Sequence, residues 1–220
     1  MPQFAADEIH RCTKCEAVLD PLGYHALTCK SGGDIIHRHN AIRDMVFKAC
    51  QTACLTPRLE KHGLIANSND HPADVYIPHL HNCKSCAADI VVTHALQPNK
   101  IFYAARESAG AATRYAIMVK DKKYKAVLEK QDHGIDYLPL VVDCFGAWDQ
   151  RAINFFKKIA ATISKTKFTP YSETISQLME RLSVTLMRAN ARALLCRYPR
   201  RSISDILPTM IKDLGDTDHK

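Results

Sequence analysis

The sequence predicts an α/β protein with a mixed sheet, flanking helices and a small metal-built lobe at the N-terminus. The β-branched run 87–93 has the composition of a buried central strand, and residues 73–77 alternate as a half-buried strand does. A third apolar run, 137–145, reads as another strand, and helical patterns precede, separate and follow the three. This order of elements is typical of an α/β fold.

Composition and spacing divide the chain into three parts. We expect a zinc-binding lobe at 1–33, an α/β core at 34–165, and a C-terminal helical extension with a tail at 166–220. The sequence Lys-Ser-Gly-Gly at 30–33 indicates a flexible joint between the lobe and the core. The tail is expected to be loose from Arg197 onward.

The individual elements follow from local patterns. Apolar residues at helical spacing predict a first helix over 38–50, with Asn40 as a candidate cap. We expect Pro78 to end the first strand, and Pro139 to leave the start of the last strand outside the paired ladder. The other predicted helices lie at about 102–131, 150–165 and 172–195.

The lobe is predicted from four residues at the spacing C-x2-C-x9-H-x3-C, namely Cys12, Cys15, His25 and Cys29. Zinc takes four such donors in a tetrahedron, and a Cys-x2-Cys pair supplies two of them from one tight turn. Asp-Pro-Leu-Gly at 20–23 is a β-turn sequence that would return His25 and Cys29 to the first pair. Unpaired thiols in a loop, or two disulfides in a secreted protein, are the alternatives.

Composition narrows the class of protein. The chain has 220 residues, a net charge of +7 and a sequence pI near 8.9, a moderately basic balance that is compatible with binding a polyanion. Nine cysteines, an odd number, and the lack of an apolar signal sequence argue against a disulfide framework and for a reducing, intracellular compartment. We expect no membrane span, because no apolar run reaches about eighteen residues.

Two aspartates in the predicted strands form the second candidate site. If the strands carrying Asp74 and Asp89 form a hairpin, the two carboxylates converge, and such a pair favours a hard divalent cation such as Mg²⁺. Bound Mg²⁺ can polarise a scissile phosphate and activate water, and Lys120, Lys122 or Lys123 on the next helix could supply a cation. Aspartates at strand ends also cap turns, so spacing alone leaves a structural role open. Asp89, however, begins a run that favours burial, and a buried carboxylate is costly unless it is paired.

Several short motifs, in this order and behind a Cys-Cys-His-Cys lobe, resemble a known family. They are similar to the restriction-like endonuclease region at the C-terminus of site-specific non-LTR retrotransposon reverse transcriptases, a branch of the PD-(D/E)XK nuclease superfamily. The resemblance covers about residues 12–148. The motifs are Arg38-His39-Asn40, Leu59-Glu60, Pro72-Ala73-Asp74, Asp89-Ile90-Val91-Val92, Lys120-x3-Tyr124 and Asp143-Cys144-Phe145-Gly146-Ala147-Trp148.

The resemblance implies a PD-(D/E)XK-like core that cleaves DNA with Mg²⁺ or Mn²⁺. It assigns the metal to Asp74 and Asp89, and the functional cation to Lys120 of the Lys-x3-Tyr pattern. The simple superfamily motif has its lysine two residues after the second acid, where this chain has Val91; in the retrotransposon branch the lysine lies on the following helix. The implied catalytic residues are Asp74, Asp89, Lys120, Glu60 as an assisting acid, and Tyr124.

The resemblance also implies contacts with DNA. Arg38, His39 and Asn40 would contact phosphate or fix the edge of the active site, and Lys122, Lys123 and Lys125 would hold the duplex. DNA is the expected partner, and a nuclear location follows from that substrate. Element RNA and a reverse transcriptase are further partners that the resemblance leaves open, and the oligomeric state is not predicted.

Alternatives stay open at this point. The protein could be a zinc-bearing DNA-binding module that does not cleave, which Val91 favours, or a structure-selective nuclease acting on DNA junctions. Glu60 could pair with Arg58 or Lys61, and Tyr124 could be a core residue. A second metal set is conceivable from His79, His81, Cys83 and Cys86.

Overall fold

A computed structural model describes residues 10–65, 68, 70–81, 84–97, 99–130 and 135–197, and within them the chain is mixed α/β around a four-stranded sheet. The strands are β1 (Arg58–Leu59), β2 (Val75–His81), β3 (Lys84–Thr93) and β4 (Ile135–Asp143). The α-helices are α1 (Tyr24–Thr28), α2 (Asp34–Thr52), α3 (Ile101–Arg106), α4 (Gly110–Tyr115), α5 (Ala126–Lys130), α6 (Gln150–Lys167) and α7 (Tyr171–Leu195). A π-helix, Ala116–Lys125, lies between α4 and α5.

The sheet has the order β1-β2-β3-β4. Its first three strands are antiparallel and β4 is parallel to β3, so the segment from α3 to α5 forms the crossover that parallel neighbours require. The predicted hairpin is confirmed, because Val75 pairs with Ala88. This register places Asp74, which immediately precedes β2, beside Asp89 of β3.

Both proline predictions are wrong. Strand β2 continues through Pro78 to His81, and the β2–β3 register is irregular between Ile77 and His81, where a proline is tolerated. Pro139 lies inside the β3–β4 ladder, opposite Asp89. It is accommodated there because β4 is the last strand in the sheet order, so its other edge has no neighbouring strand in the described residues.

Two helix predictions also need correction. Helix α2 begins at Asp34, with Gly33 in a left-handed conformation before it, so Asn40 is an interior residue rather than a cap. The single helix predicted at 102–131 is divided into α3, α4, the π-helix and α5. A close approach explains the first break: a Cβ on Gly110 would lie 2.1 Å from the Tyr103 carbonyl oxygen.

The two faces of the sheet carry different layers. Side chains of α2, α6 and α7 pack on one face with Ala88, Ile90 and Leu140. On the other face Ala87 and Tyr137 pack with Tyr124 of the π-helix. Since side chains alternate along a strand, Asp89 shares the π-helix face with Ala87. The Asp89 carboxylate therefore faces the π-helix, which carries Lys120.

The C-terminal helix belongs to the main packing of the molecule. Leu178, Leu182 and Leu186 of α7 lie in the same buried cluster as the sheet residues. Arg197, which the sequence placed in a loose tail, is fully buried. No helix among the described residues has the length and apolar character needed to cross a membrane.

Candidate metal and nuclease sites

The structure brings together the four predicted zinc ligands. One donor atom from each of Cys12, Cys15, His25 and Cys29 lies within 4.8 Å of the others. The sulfur of Cys29 is 4.0 Å from that of Cys12 and 3.6 Å from that of Cys15, and the Cys15 sulfur is 3.2 Å from Nε2 of His25. A tetrahedron with zinc–sulfur bonds of about 2.3 Å has edges of about 3.8 Å, so the donor set fits this ion.

The turn at 20–23 builds this site as predicted. The Gly23 N–H donates to the Asp20 carbonyl oxygen at 3.0 Å, which closes the β-turn. The Asp20 carboxylate then accepts the N–H groups of Leu22, Tyr24 and His25 at 3.1, 2.9 and 2.7 Å. These bonds stabilise the start of α1 and so orient His25 toward the cysteines.

The lobe is held against the end of α7 and the start of α2. Arg197 donates to the carbonyl oxygens of Ser31 at 2.8 Å and Cys29 at 3.4 Å, and its guanidinium also binds the Asp34 carboxylate. Thr13 donates through its hydroxyl to the Cys196 carbonyl oxygen at 2.8 Å. The joint predicted to be flexible at 30–33 is therefore fixed by a buried arginine.

The second site is centred on Asp89, which is buried, with 4% of its surface exposed. Its Oδ2 accepts a hydrogen bond from the Tyr137 hydroxyl at 2.6 Å and lies 2.8 Å from Nζ of Lys120. Asp74 lies beside it: the Ile90 N–H donates to Asp74 Oδ2 at 2.6 Å, and Nε2 of His39 is 3.3 Å from Asp74 Oδ1. Two carboxylates, a lysine, a tyrosine and a histidine thus meet at one edge of the π-helix face.

The electrostatics of this site follow from burial and pairing. Burial raises the pKa of Asp89, against the opposing effects of Lys120 and Tyr137, and the nearby Asp74 charge acts in the same direction as burial. Burial alone would lower the pKa of Lys120, but the attraction of Asp89 outweighs it and the pKa is raised, so the amine is a cation at neutral pH. The hydrogen bond to Asp74 raises the pKa of His39.

The π-helix positions the lysine. Lys120 can act beside the two aspartates only if the helix after β3 returns its amine to the strands, and Nζ of Lys120 lies beside Asp89. Tyr124 of the Lys-x3-Tyr pattern is buried, with its ring centroid 5.5 Å from that of Tyr137. Nζ of Lys120 lies 5.5 Å from the centre of the Tyr124 ring, so this tyrosine packs beside the lysine of the site. π-Helical segments are rare and occur frequently at functional sites.

The other lysines of the π-helix point elsewhere. Lys123 binds Asp70 at 3.0 Å and lies over the Tyr124 ring at 4.7 Å, so it does not replace Lys120 beside Asp89. Lys122 and Lys125 are exposed on the same helix. They remain candidates for contacts with phosphate.

Glu60 lies next to the acidic pair through its backbone. Its N–H donates to the Asp74 carbonyl oxygen at 3.0 Å. Its side chain binds the guanidinium of Arg43, rather than the Arg58 or Lys61 that the sequence suggested as partners. Glu60 has a positive φ of 46°, a conformation that is uncommon outside glycine. The structure thus puts this acid at the border of the site in an ion pair with α2.

The Arg-His-Asn motif divides between the core and the site. Arg38, with 4% of its surface exposed, donates to Oδ1 of Asn190 at 2.9 Å and to the Leu27 carbonyl oxygen at 3.1 Å. This corrects the expected contact of Arg38 with DNA, because its guanidinium is engaged inside the fold. His39 reaches Asp74, whereas Asn40 is half-buried on α2.

The second metal set is not assembled in the described residues. Cys83 and the side chains of His79 and His81 lie outside them, and Cys86 is a core residue whose burial raises its pKa to about 12. Among the described residues, the Cys12–Cys29 cluster is the group of three or more cysteine, histidine or acidic donors that could hold a metal. At the acidic pair, water and phosphate oxygens would have to complete the coordination of Mg²⁺.

Sequence reasoning missed Tyr137, Arg43 and the π-helix. Tyr137 of β4 pairs with Ala87 of β3 in the parallel ladder. Ala87 is two residues before Asp89, so Tyr137 and Asp89 lie on the same face of the sheet. The signal that could have found it is a tyrosine near the start of an apolar strand, since a buried hydroxyl needs a partner. Arg43 lies on the helix of the Arg-His-Asn motif, four residues after His39.

No protein-family model matches the chain, and no curated protein matches its sequence. What the protein does must therefore be inferred from the residues and geometry above.

Proposed function

We propose that the protein is a metal-dependent DNA endonuclease of the restriction-like, retroelement type, with a structural zinc lobe. One observation carries the proposal: Lys120 lies 2.8 Å from Asp89, on the face of the sheet where Asp74 is the neighbouring acid. Two acids from paired strands and a lysine from another element are the charged groups that metal-assisted phosphodiester hydrolysis uses.

Each residue of the site has a distinct task in this proposal. Asp74 and Asp89 would hold Mg²⁺ or Mn²⁺, which supplies charge stabilisation at the phosphate and an activated water. Lys120 places a positive charge beside the same carboxylates, where it can stabilise the charge that develops on phosphoryl oxygens. The Tyr137 hydroxyl and His39 orient Asp89 and Asp74, so they act as positioning residues.

The surroundings supply the charge that a DNA substrate requires. The π-helix contributes Lys122 and Lys125 as exposed cations next to the site, and the chain as a whole carries a net charge of +7. Contacts of this kind give affinity that depends on salt and not on base sequence. DNA as partner and a nuclear location are part of the same proposal.

The proposal is tested by nicking of supercoiled plasmid in Mg²⁺ or Mn²⁺. We compare the unaltered chain with Asp89→Asn and Lys120→Met, and use Lys165→Met, an exposed lysine of α6 outside the proposed site, as a control for the loss of one positive charge. Zinc content and circular dichroism are measured for every variant. We expect both site variants to lose nicking by at least a hundredfold, as removal of one charge-stabilising group does in other enzymes, and the control to retain it.

The alternative, a DNA-binding module that does not cleave, gives a different result. In that case folded, zinc-loaded unaltered protein binds DNA but does not nick it with either cation. Nicking that survives unchanged in Asp89→Asn would place the reaction elsewhere and would also contradict the proposal.

A further inference from the structure

A surface on α3 and α4 combines two aromatic rings, one exposed and one half-buried, with two arginines. The Arg106 guanidinium lies 4.5 Å from the centre of the Phe102 ring, and that of Arg114 lies 4.6 Å from the centre of the Tyr103 ring. The two rings meet edge to face at 5.5 Å. We call these four residues the α3 platform.

The platform is more exposed than ordinary packing explains. Phe102 has 56% of its surface accessible, although an aromatic ring of this size gains most when it is buried. Neither Arg106 nor Arg114 has a carboxylate partner in the part of the chain that the structure describes. An aromatic and cationic surface without its own counter-charge is complementary to an anionic ligand with planar rings.

The platform is held rigidly relative to the candidate nuclease site. Gly110 of α4 contacts the Tyr103 carbonyl oxygen so closely that no side chain fits between the helices. Helix α4 then runs directly into the π-helix, and the Tyr115 ring lies 4.5 Å from Nζ of the buried Lys100. Arg114 precedes Lys120 by six residues on this continuous helical segment, so the platform and the site are carried by the same element.

The charge of this segment has the sign that nucleic acid requires. Between residues 100 and 120 the chain carries four cations and a single acid, Glu107. Exposed aromatic rings together with cations are the combination with which proteins hold single-stranded nucleic acid, because bases stack on rings and phosphates meet the cations. A continuous duplex presents no free base faces to such a surface.

We propose that the α3 platform binds unpaired bases of the DNA next to the scissile bond, so that the preferred substrate contains a single-stranded segment beside a duplex. This proposal rests on the proposed function and specifies its substrate class. Phe102 supplies the stacking surface, and Arg106 and Arg114 contact the phosphates of the same strand.

The test compares binding of the full chain to three labelled DNAs: a single strand, a continuous duplex and a splayed-arm duplex. Fluorescence anisotropy is measured without added Mg²⁺ or Mn²⁺, so that no cleavage interferes. We compare Phe102→Ala and Arg106→Ala with the control Ile101→Ala, which removes the adjacent apolar side chain, itself 48% exposed, outside the platform. All three side chains are exposed, so the variants are expected to fold, which circular dichroism checks.

We expect Phe102→Ala to lower the affinity for the single strand and the splayed arm about tenfold relative to the duplex, and Ile101→Ala to leave that ratio unchanged. Equal losses for all three DNAs would show a contact with phosphate alone and would overturn the proposal. Unchanged affinities would show that the surface binds no nucleic acid, and in that case a protein partner would be its remaining occupant.

The outcomes separate this inference from the nuclease proposal. If the unaltered chain nicks plasmid in an Asp89-dependent manner but Phe102→Ala binds every DNA normally, the endonuclease proposal stands and the platform proposal fails. If no nicking occurs and binding of the single strand depends on Phe102, the contact of the platform with unpaired bases is confirmed and the cleavage proposal fails.

Discussion

Replacing Lys120 by methionine separates the stability of the candidate site from its chemistry. The Lys120 and Asp89 side chains are 19% and 6% exposed, and Nζ is 2.8 Å from Oδ2. Removing one partner of a buried ion pair leaves the other charge uncompensated and costs about 3–5 kcal/mol. Because Lys120 retains some contact with water, we expect Lys120→Met to lower the free energy of unfolding by about 3 kcal/mol.

The double variant tests the cause of that loss. In Asp89→Asn with Lys120→Met no unpaired charge remains, and the Tyr137 hydroxyl keeps an acceptor. Its stability should therefore lie within about 1 kcal/mol of the unaltered protein, because removing both partners of such a pair is often nearly neutral. Nicking should nevertheless be absent from both variants.

Urea unfolding followed by circular dichroism and by the fluorescence of Trp148, the single tryptophan of the chain, measures both free energies. For a chain of this size, 3 kcal/mol corresponds to a decrease in Tm of about 6–12 °C. Lys122→Met, on the exposed side of the same helix, should change stability by less than about 0.5 kcal/mol. Two results would refute the reasoning: a stable Lys120→Met variant, or a double variant as unstable as the single one.

The remaining predictions concern the zinc lobe and the buried polar groups. The purified chain should contain one zinc per molecule by elemental analysis. Cys12→Ser should lose the zinc, whereas the control Lys14→Ala should keep it. Full retention of zinc in Cys12→Ser would exclude the predicted site. Iodoacetamide at pH 8 should label Cys54 in the native protein, because Cys54 is exposed. Mass spectrometry before and after denaturation identifies the thiols that react only on unfolding. Burial raises the pKa of three thiols to between about 11 and about 12, so they stay protonated and unlabelled: Cys50, Cys86 and Cys144. Arg197→Met should destabilise the protein by about 2 kcal/mol, because the buried Asp34 carboxylate then keeps only Arg192, at 3.5 Å, as its cationic partner. Arg188→Met on the exposed side of α7 should cost less than about 0.5 kcal/mol, and equal effects in thermal unfolding would contradict the role of Arg197.

The parts of the molecule that the sequence predicted well depend on local patterns. The four zinc ligands lie within a segment of 18 residues that contains one turn, so their spacing in the sequence is enough to predict that they cluster. The hairpin of β2 and β3 follows from two strands separated by a short polar segment, and its register places Asp74 beside Asp89. Lys120, expected on a helix after β3, lies on the π-helix beside Asp89.

The errors concern contacts between distant parts of the chain. Pro139 is tolerated in its ladder only because β4 is the last strand of the sheet, which no local pattern reveals. Arg197 looked like part of a basic tail because its partner, Asp34, is 163 residues earlier. The division of the predicted long helix depends on packing of Gly110 against Tyr103, and Tyr137 becomes a site residue only through parallel pairing with β3.

The clasp formed by Arg197 has a consequence for the order of events during synthesis. The carbonyl oxygen of Cys29 and the guanidinium that binds it are separated by 168 residues. A ribosome adds about 5–20 residues per second, so the lobe emerges roughly 10–30 s before its docking partner exists. The lobe therefore has time to bind zinc before the end of α7 exists to hold it, and this early segment reaches its final position only after α7 is made.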